Sequence, residues 1–136
     1  MEMSGKCLCG AVSYVSTAAP VMAGHCHCED CRRSSGTGHC SHLAAPEDAV
    51  TFAGATARYE KRADSGNMVS RHFCPTCGAA VFSRNSGMPG LVFLRASSLD
   101  DPEIFQPQMH VYVSRAPSWD RPGEGLPMFD MMPPGM

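Results

Sequence analysis

Three cysteines fall within six residues in the stretch His25-Cys26-His27-Cys28-Glu29-Asp30-Cys31-Arg32-Arg33. A C-x-C-x-x-C run is too crowded for core packing, and adjacent half-cystines strain one another's disulfide geometry. The spacing suits a soft divalent metal. Tetrahedral zinc takes thiolates at ~2.3 Å, which sets its sulfurs roughly 3.8 Å apart. A C-x-x-C turn delivers two such sulfurs, and the C-x-C step adds a third from the same loop. One corner of the tetrahedron then remains, and what fills it decides the chemistry. A second metal signal is Phe73-Cys74-Pro75-Thr76-Cys77-Gly78, the C-P-x-C-G form of a zinc knuckle. It needs another pair to close a tetrahedron, and Cys7/Cys9 is the other isolated pair. Those four thiolates make a closed site that contributes folding energy and no chemistry.

For the triple cluster two readings stand side by side. Either Cys40 supplies the fourth thiolate, giving two closed four-cysteine sites and a non-catalytic, zinc-stabilised binding module. Or Cys40 is a small buried hydrophobe, and the zinc of Cys26, Cys28 and Cys31 keeps an exchangeable position, the mark of catalytic zinc. His25 and His27 alternate with ligands and so point away from the metal. His39, His42, His72 and His110 read as surface or core histidines. Arg32 and Arg33 are either solvated helix charge or a clamp for a substrate carboxylate beside an anionic zinc-thiolate centre.

The elements that must position these residues are mostly strands. Thirteen glycines and eleven prolines in 136 residues favour short strands and many turns. A strand is expected after Gly10 over Ala11–Val15, and a helical turn or two from Cys28, broken by Ser34-Ser35-Gly36-Thr37-Gly38. Further strands are expected at His39–Ala44 and around Val50-Thr51-Phe52, joined by one helical turn at Pro46–Val50. Thr56–Lys61 and Met68–Phe73 form a hairpin running into the knuckle, with Ala80–Ser83 leaving it. Gly90–Ala96 is almost continuously apolar and is expected to be buried on both faces. Pro20–Gly24 reads as an approach segment and Met109–Ser114 as a last strand. Residues 1–136 read as one zinc-binding catalytic domain. Within it, residues 116–136 form an extended C-terminal tail, whose last sixteen residues hold four Pro, three Gly and four Met.

Eight cysteines clustered in this way point to metal and a reducing compartment. With no apolar leader at Met1–Lys6 and no run long enough to span a membrane, the expectation is a cytoplasmic protein. A formal charge of −2, more negative with zinc thiolates, lacks the basic footprint of a nucleic-acid binder.

The order C-x-C-G-x-V-x-Y, then C-H-C-x-x-C-R-R-x-x-G, then F-C-x-x-C-G-x-x-x-F resembles the glutathione-dependent formaldehyde-activating enzyme family, which shares its domain with the centromere protein V group. Cys7, Cys9, Gly10, Val12 and Tyr14 carry the first segment, Cys26 to Arg33 with Gly36 the second. Phe73, Cys74, Cys77, Gly78 and Phe82 carry the third. Leu99-Asp100-Asp101-Pro102, His110, Trp119 and Gly125-Leu126-Pro127 also fit the family's C-terminal half. The resemblance implies a mainly β, β-tent zinc fold with short helical turns. It also implies a structural zinc on Cys7, Cys9, Cys74 and Cys77 and a catalytic zinc on Cys26, Cys28 and Cys31. The implied activity is carbon–sulfur lyase, the reversible formation of S-(hydroxymethyl)glutathione from glutathione and formaldehyde. The partners expected are therefore a small thiol and an aldehyde, with no nucleic acid and no membrane; a homodimer is compatible.

Overall fold

Tyr14 sits at the centre of the architecture because two sheets meet around it. The computed structural model describes residues 3–135. Strands β1 (Met3–Lys6), β2 (Ser13–Ser16) and β5 (Val50–Ala53) form a three-stranded antiparallel sheet in the order β1-β2-β5. The larger sheet contains β3 (Met22–Cys26), β4 (Cys40–Pro46), β6 (Ala57–Arg62), β7 (Met68–Phe73), β8 (Ala80–Asn85), β9 (Leu91–Arg95) and β10 (His110–Val111). Its order is β10-β3-β4-β9-β8-β7-β6, antiparallel except where β10 runs parallel to β3. One helix, α1 (Glu29–Ser35), and short 3-10 turns complete a mainly β fold of the expected class. No helix among the described residues is long and apolar enough to cross a membrane.

The core lies between the sheets, with Tyr14 and Val50 from the small sheet packed against Leu43, Val81, Val92 and Leu94 from the large one. Phe52 stacks on Phe82 at 4.2 Å, and His72 covers the same ring at 4.3 Å. The Tyr14 hydroxyl is buried and hydrogen-bonds Ser98 Oγ at 2.7 Å, so its burial leaves no orphaned polar group. Gly5 allows the close approach: a Cβ there would overlap the Tyr14 ring and the Ser98 carbonyl.

Several elements depart from the expectations. β9 is two-faced: Val92 and Leu94 enter the core, whereas Phe93 and Arg95 line a cavity on the other side. The expected approach segment at Pro20–Gly24 instead leads into β3. Its small residues pack tightly, with Gly24 close against the Met109 carbonyl. β1 carries no alternating apolar pattern and forms by pairing with β2. The expected strand at Met109–Ser114 is cut to two residues because Tyr112 adopts a left-handed conformation, φ 56, and Val113–Arg115 turns. The strand after Gly10 begins at Ser13, leaving Ala11 and Val12 in the preceding turn. The tail lies along the body: His110 N–H donates to Pro127 O, Phe129 N–H to His110 O, and Tyr112 N–H to Met131 O.

Candidate metal centres and active-site cavity

The turn after β1 and the turn between β7 and β8 bring Cys7, Cys9, Cys74 and Cys77 together, every sulfur within 4.8 Å of the others. Two of the separations, Cys7 to Cys9 and Cys9 to Cys74, are 3.7 Å, close to the roughly 3.8 Å edge of a zinc-thiolate tetrahedron. Backbone N–H groups face the sulfurs: Val12 donates to Cys7 Sγ at 3.3 Å and Thr76 to Cys74 Sγ at 3.3 Å. The Cys77 thiol is pulled down to about 6, chiefly by the Ala79 amide. Gly78, with φ 78, gives the knuckle its tight return. The donor set and its spacing fit zinc.

The second set is built at the junction of β3 and α1. Cys26 ends β3, Cys28 caps the helix with its sulfur accepting from Cys31 N–H at 3.3 Å, and Cys31 lies buried on the first turn. Gly36, φ 80, terminates the helix. The three sulfurs lie within 4.8 Å of one another. The Cys28 thiol is held far below its ordinary range by hydrogen bonds from Cys26 and Cys31, as expected of a ligand that is readily a thiolate. Cys40 sits opposite Cys26 in the β3–β4 register. It groups with Cys31 and His42 and does not join all three of the other sulfurs. The chain's own thiols therefore converge as a trio at this loop.

This trio forms part of the wall of a cavity of about 310 Å³, which also carries Lys61, Arg71, Arg95 and Arg115. Lys61 is bound to Asp30 at 2.8 Å and Arg115 to Asp64 at 2.8 Å. The other two arginines are less committed. Arg95 is buried and reaches His42 Nδ1 at 3.1 Å and Ser83 Oγ at 3.2 Å. Arg71 Nε and Arg95 Nε are buried with no hydrogen-bond partner among the described residues. Orphaned guanidinium donors beside three thiols favour anionic neighbours. Tyr112, which also lines the cavity, has its phenol pushed up, first by burial and then by Cys26 and Cys28. Among the described residues it is the one non-glycine at positive φ, a strain that clusters at working sites.

Neither Arg32 nor Arg33 lines the cavity. Arg33 is exposed and paired with Glu29 at 3.0 Å, one helical turn back. The cations on the cavity come instead from β6, β7, β9 and the turn after β10. Arg95 had one sequence signal, a charge ending the most apolar strand, whereas Arg71 and Tyr112 had none.

A sequence model of the family described as "Glutathione-dependent formaldehyde-activating enzyme" matches residues 2–115. No curated protein matches the chain. Among solved structures, a crystal structure of a Rhodobacter sphaeroides protein, a structural-genomics target, is similar. It has a TM-score of 0.57 and 23% identity, over 72% of this chain and 88% of that one. At that identity the likeness concerns the fold. The extent of the family match, together with the two thiol sets it encloses, identifies the chain as a member of the glutathione-dependent formaldehyde-activating enzyme family.

Proposed function

We propose that the protein is a zinc-dependent carbon–sulfur lyase that reversibly joins a small, carboxylate-bearing thiol such as glutathione to an aldehyde such as formaldehyde. The observation that carries this reading is the convergence of Cys26, Cys28 and Cys31 on a cavity that Arg71 and Arg95 also line, each with an Nε donor lacking a partner among the described residues. Cys26, Cys28 and Cys31 would hold a catalytic zinc, and Cys7, Cys9, Cys74 and Cys77 a structural one. Bound zinc supplies Lewis acidity and lowers the pKa of a thiol. Arg71 and Arg95 bind the substrate carboxylates and offset the negative charge of the thiolates. Lys61 and Arg115, fixed by Asp30 and Asp64, add further positive charge to the cavity lining. Tyr112, held protonated, donates its hydroxyl proton to the oxygen of the aldehyde as the thiolate sulfur bonds to the aldehyde carbon. The proton released by the incoming thiol restores the phenol, and the reverse reaction runs the same transfers backwards. Eight free thiols suit a reducing compartment, so we place the protein in the cytoplasm.

The test is exchange NMR of hemithioacetal formation from formaldehyde and glutathione with zinc-loaded protein. Acceleration over buffer is expected, reduced about a hundredfold in Tyr112→Phe. No acceleration with glutathione or any other carboxylated thiol overturns the reading.

A further inference from the structure

Apart from the thiol sets, a further concentration of ligating groups lies on residues that do not line the cavity. His27, between Cys26 and Cys28 in the sequence, is 1% exposed. One nitrogen of His27, one of His39 and a carboxylate oxygen of Asp120 all lie within 4.8 Å of one another. We propose that His27, His39 and Asp120 form a third metal site, for zinc or another borderline first-row divalent cation, which ties the C-terminal segment to the thiol loop.

Three observations carry it. First, His27 Nε2 is 2.9 Å from His110 Nδ1, while His27 Nδ1 is buried with no hydrogen-bond partner among the described residues. With the ring proton on Nε2, His110 accepts it and Nδ1 presents a bare lone pair. Metal-ligating histidines have this arrangement, one nitrogen on the ion and the other donating to a neighbour. Second, His39 Nδ1 already meets Asp120 Oδ2 at 2.5 Å. Ligands at ~2.1 Å in a tetrahedron are roughly 3.4 Å apart, so the pair needs to open by less than about an ångström to admit an ion. Third, Gly38 leaves the space for the carboxylate, which any Cβ at that position would overlap. His25 closes the cluster, stacked on His110 at 4.9 Å and edge-on to His39 at 5.1 Å. Two imidazoles and a carboxylate favour a borderline ion, in contrast to the all-sulfur sets elsewhere in the chain.

The experiment is metal counting on the full-length protein after loading with Zn²⁺ and gel filtration, repeated with Co²⁺ and read by absorption. The wild type is expected to hold three ions per chain, and Asp120→Ala and His39→Ala two each. The lost Co²⁺ should carry only weak d–d bands, and the intense thiolate-to-cobalt bands of the other two sites should persist. Those bands also report that each variant has folded. Should His39→Ala fail to fold, Asp120→Ala, a partly exposed residue of the tail, stands alone. A wild type that binds no more than two ions overturns the proposal. So does a third ion that survives both substitutions or shows thiolate charge transfer.

Discussion

On the proposed function, Arg71 and Arg95 are the residues that select the thiol, since both line the cavity and their Nε donors have no partner among the described residues. Arg71→Gln is expected to raise KM for glutathione about tenfold, the equivalent of about 1.4 kcal/mol. KM for the uncharged 2-mercaptoethanol should stay unchanged, and the comparison of the two thiols is the check. The thiols themselves were legible in the sequence because metal chemistry demands one residue type at fixed local spacing. Arg32 and Arg33 stay off this cavity for a local reason: at about 100° per residue, one and two steps past Cys31 carry a side chain away from the face that Cys31 uses. Arg71 was illegible because its approach to Cys28 depends on the whole sheet, β7 lying beyond β9 and β8 from β4. His27 and His39 read as unremarkable for the same reason. Their partner Asp120 lies 81 residues from His39.

At the scale of elements, two of the small sheet's attachments can be tested separately. One is the Gly5–Tyr14–Ser98 contact. Gly5→Ala forces a methyl group into the Tyr14 ring and the Ser98 carbonyl. The cost is expected to be about 1–3 kcal/mol, read as a Tm lowered by about 3–10 °C in a domain of this size. The other attachment is the four-thiol cluster. Stripping metal with a strong chelator under reducing conditions should release β1 and β2 first, because Cys7 and Cys9 lie between them and the knuckle is anchored in β7–β8. Hydrogen exchange is the measurement: faster exchange at Met3–Lys6 and Ser13–Ser16, with β4 and β9 less affected. The hairpin β6–β7, with β8 leaving the knuckle, was readable from its strand runs and turn residues, and β9 from its nearly continuous apolar run. β1 and β3 were not, since they are held by backbone pairing and close approach at Gly5 and Gly24, which leave no apolar periodicity to read. β10 was expected as part of a longer strand.

For the whole molecule, the buried Tyr14 gives stability a dependence on alkaline pH. Its phenol is held above its ordinary 10, chiefly by burial. Above pH 10 the unfolded chain therefore loses this proton before the folded one, and stability falls as pH rises. Below pH 10 both states keep the proton and the residue contributes no slope. One such group contributes at most about 1.4 kcal/mol per pH unit. Tyr14→Phe removes this contribution along with the Ser98 hydrogen bond. The stability gap between wild type and variant, from urea unfolding, is thus expected to be narrower at about pH 11 than at about pH 9. The mainly β class was legible from glycine, proline and short alternating runs. The meeting of two sheets around one tyrosine was not, because β2 and β5 are separated in the chain by β3, α1 and β4. The same long separation governs the four-thiol cluster, where Cys9 waits for Cys74, 65 residues later. At about 5–20 residues per second of synthesis, the first two thiols leave the ribosome on the order of several seconds before their partners exist. Throughout that interval they are open to oxidation or to capture by the wrong ion, and the growing chain depends on the cell's reductants to keep them ready.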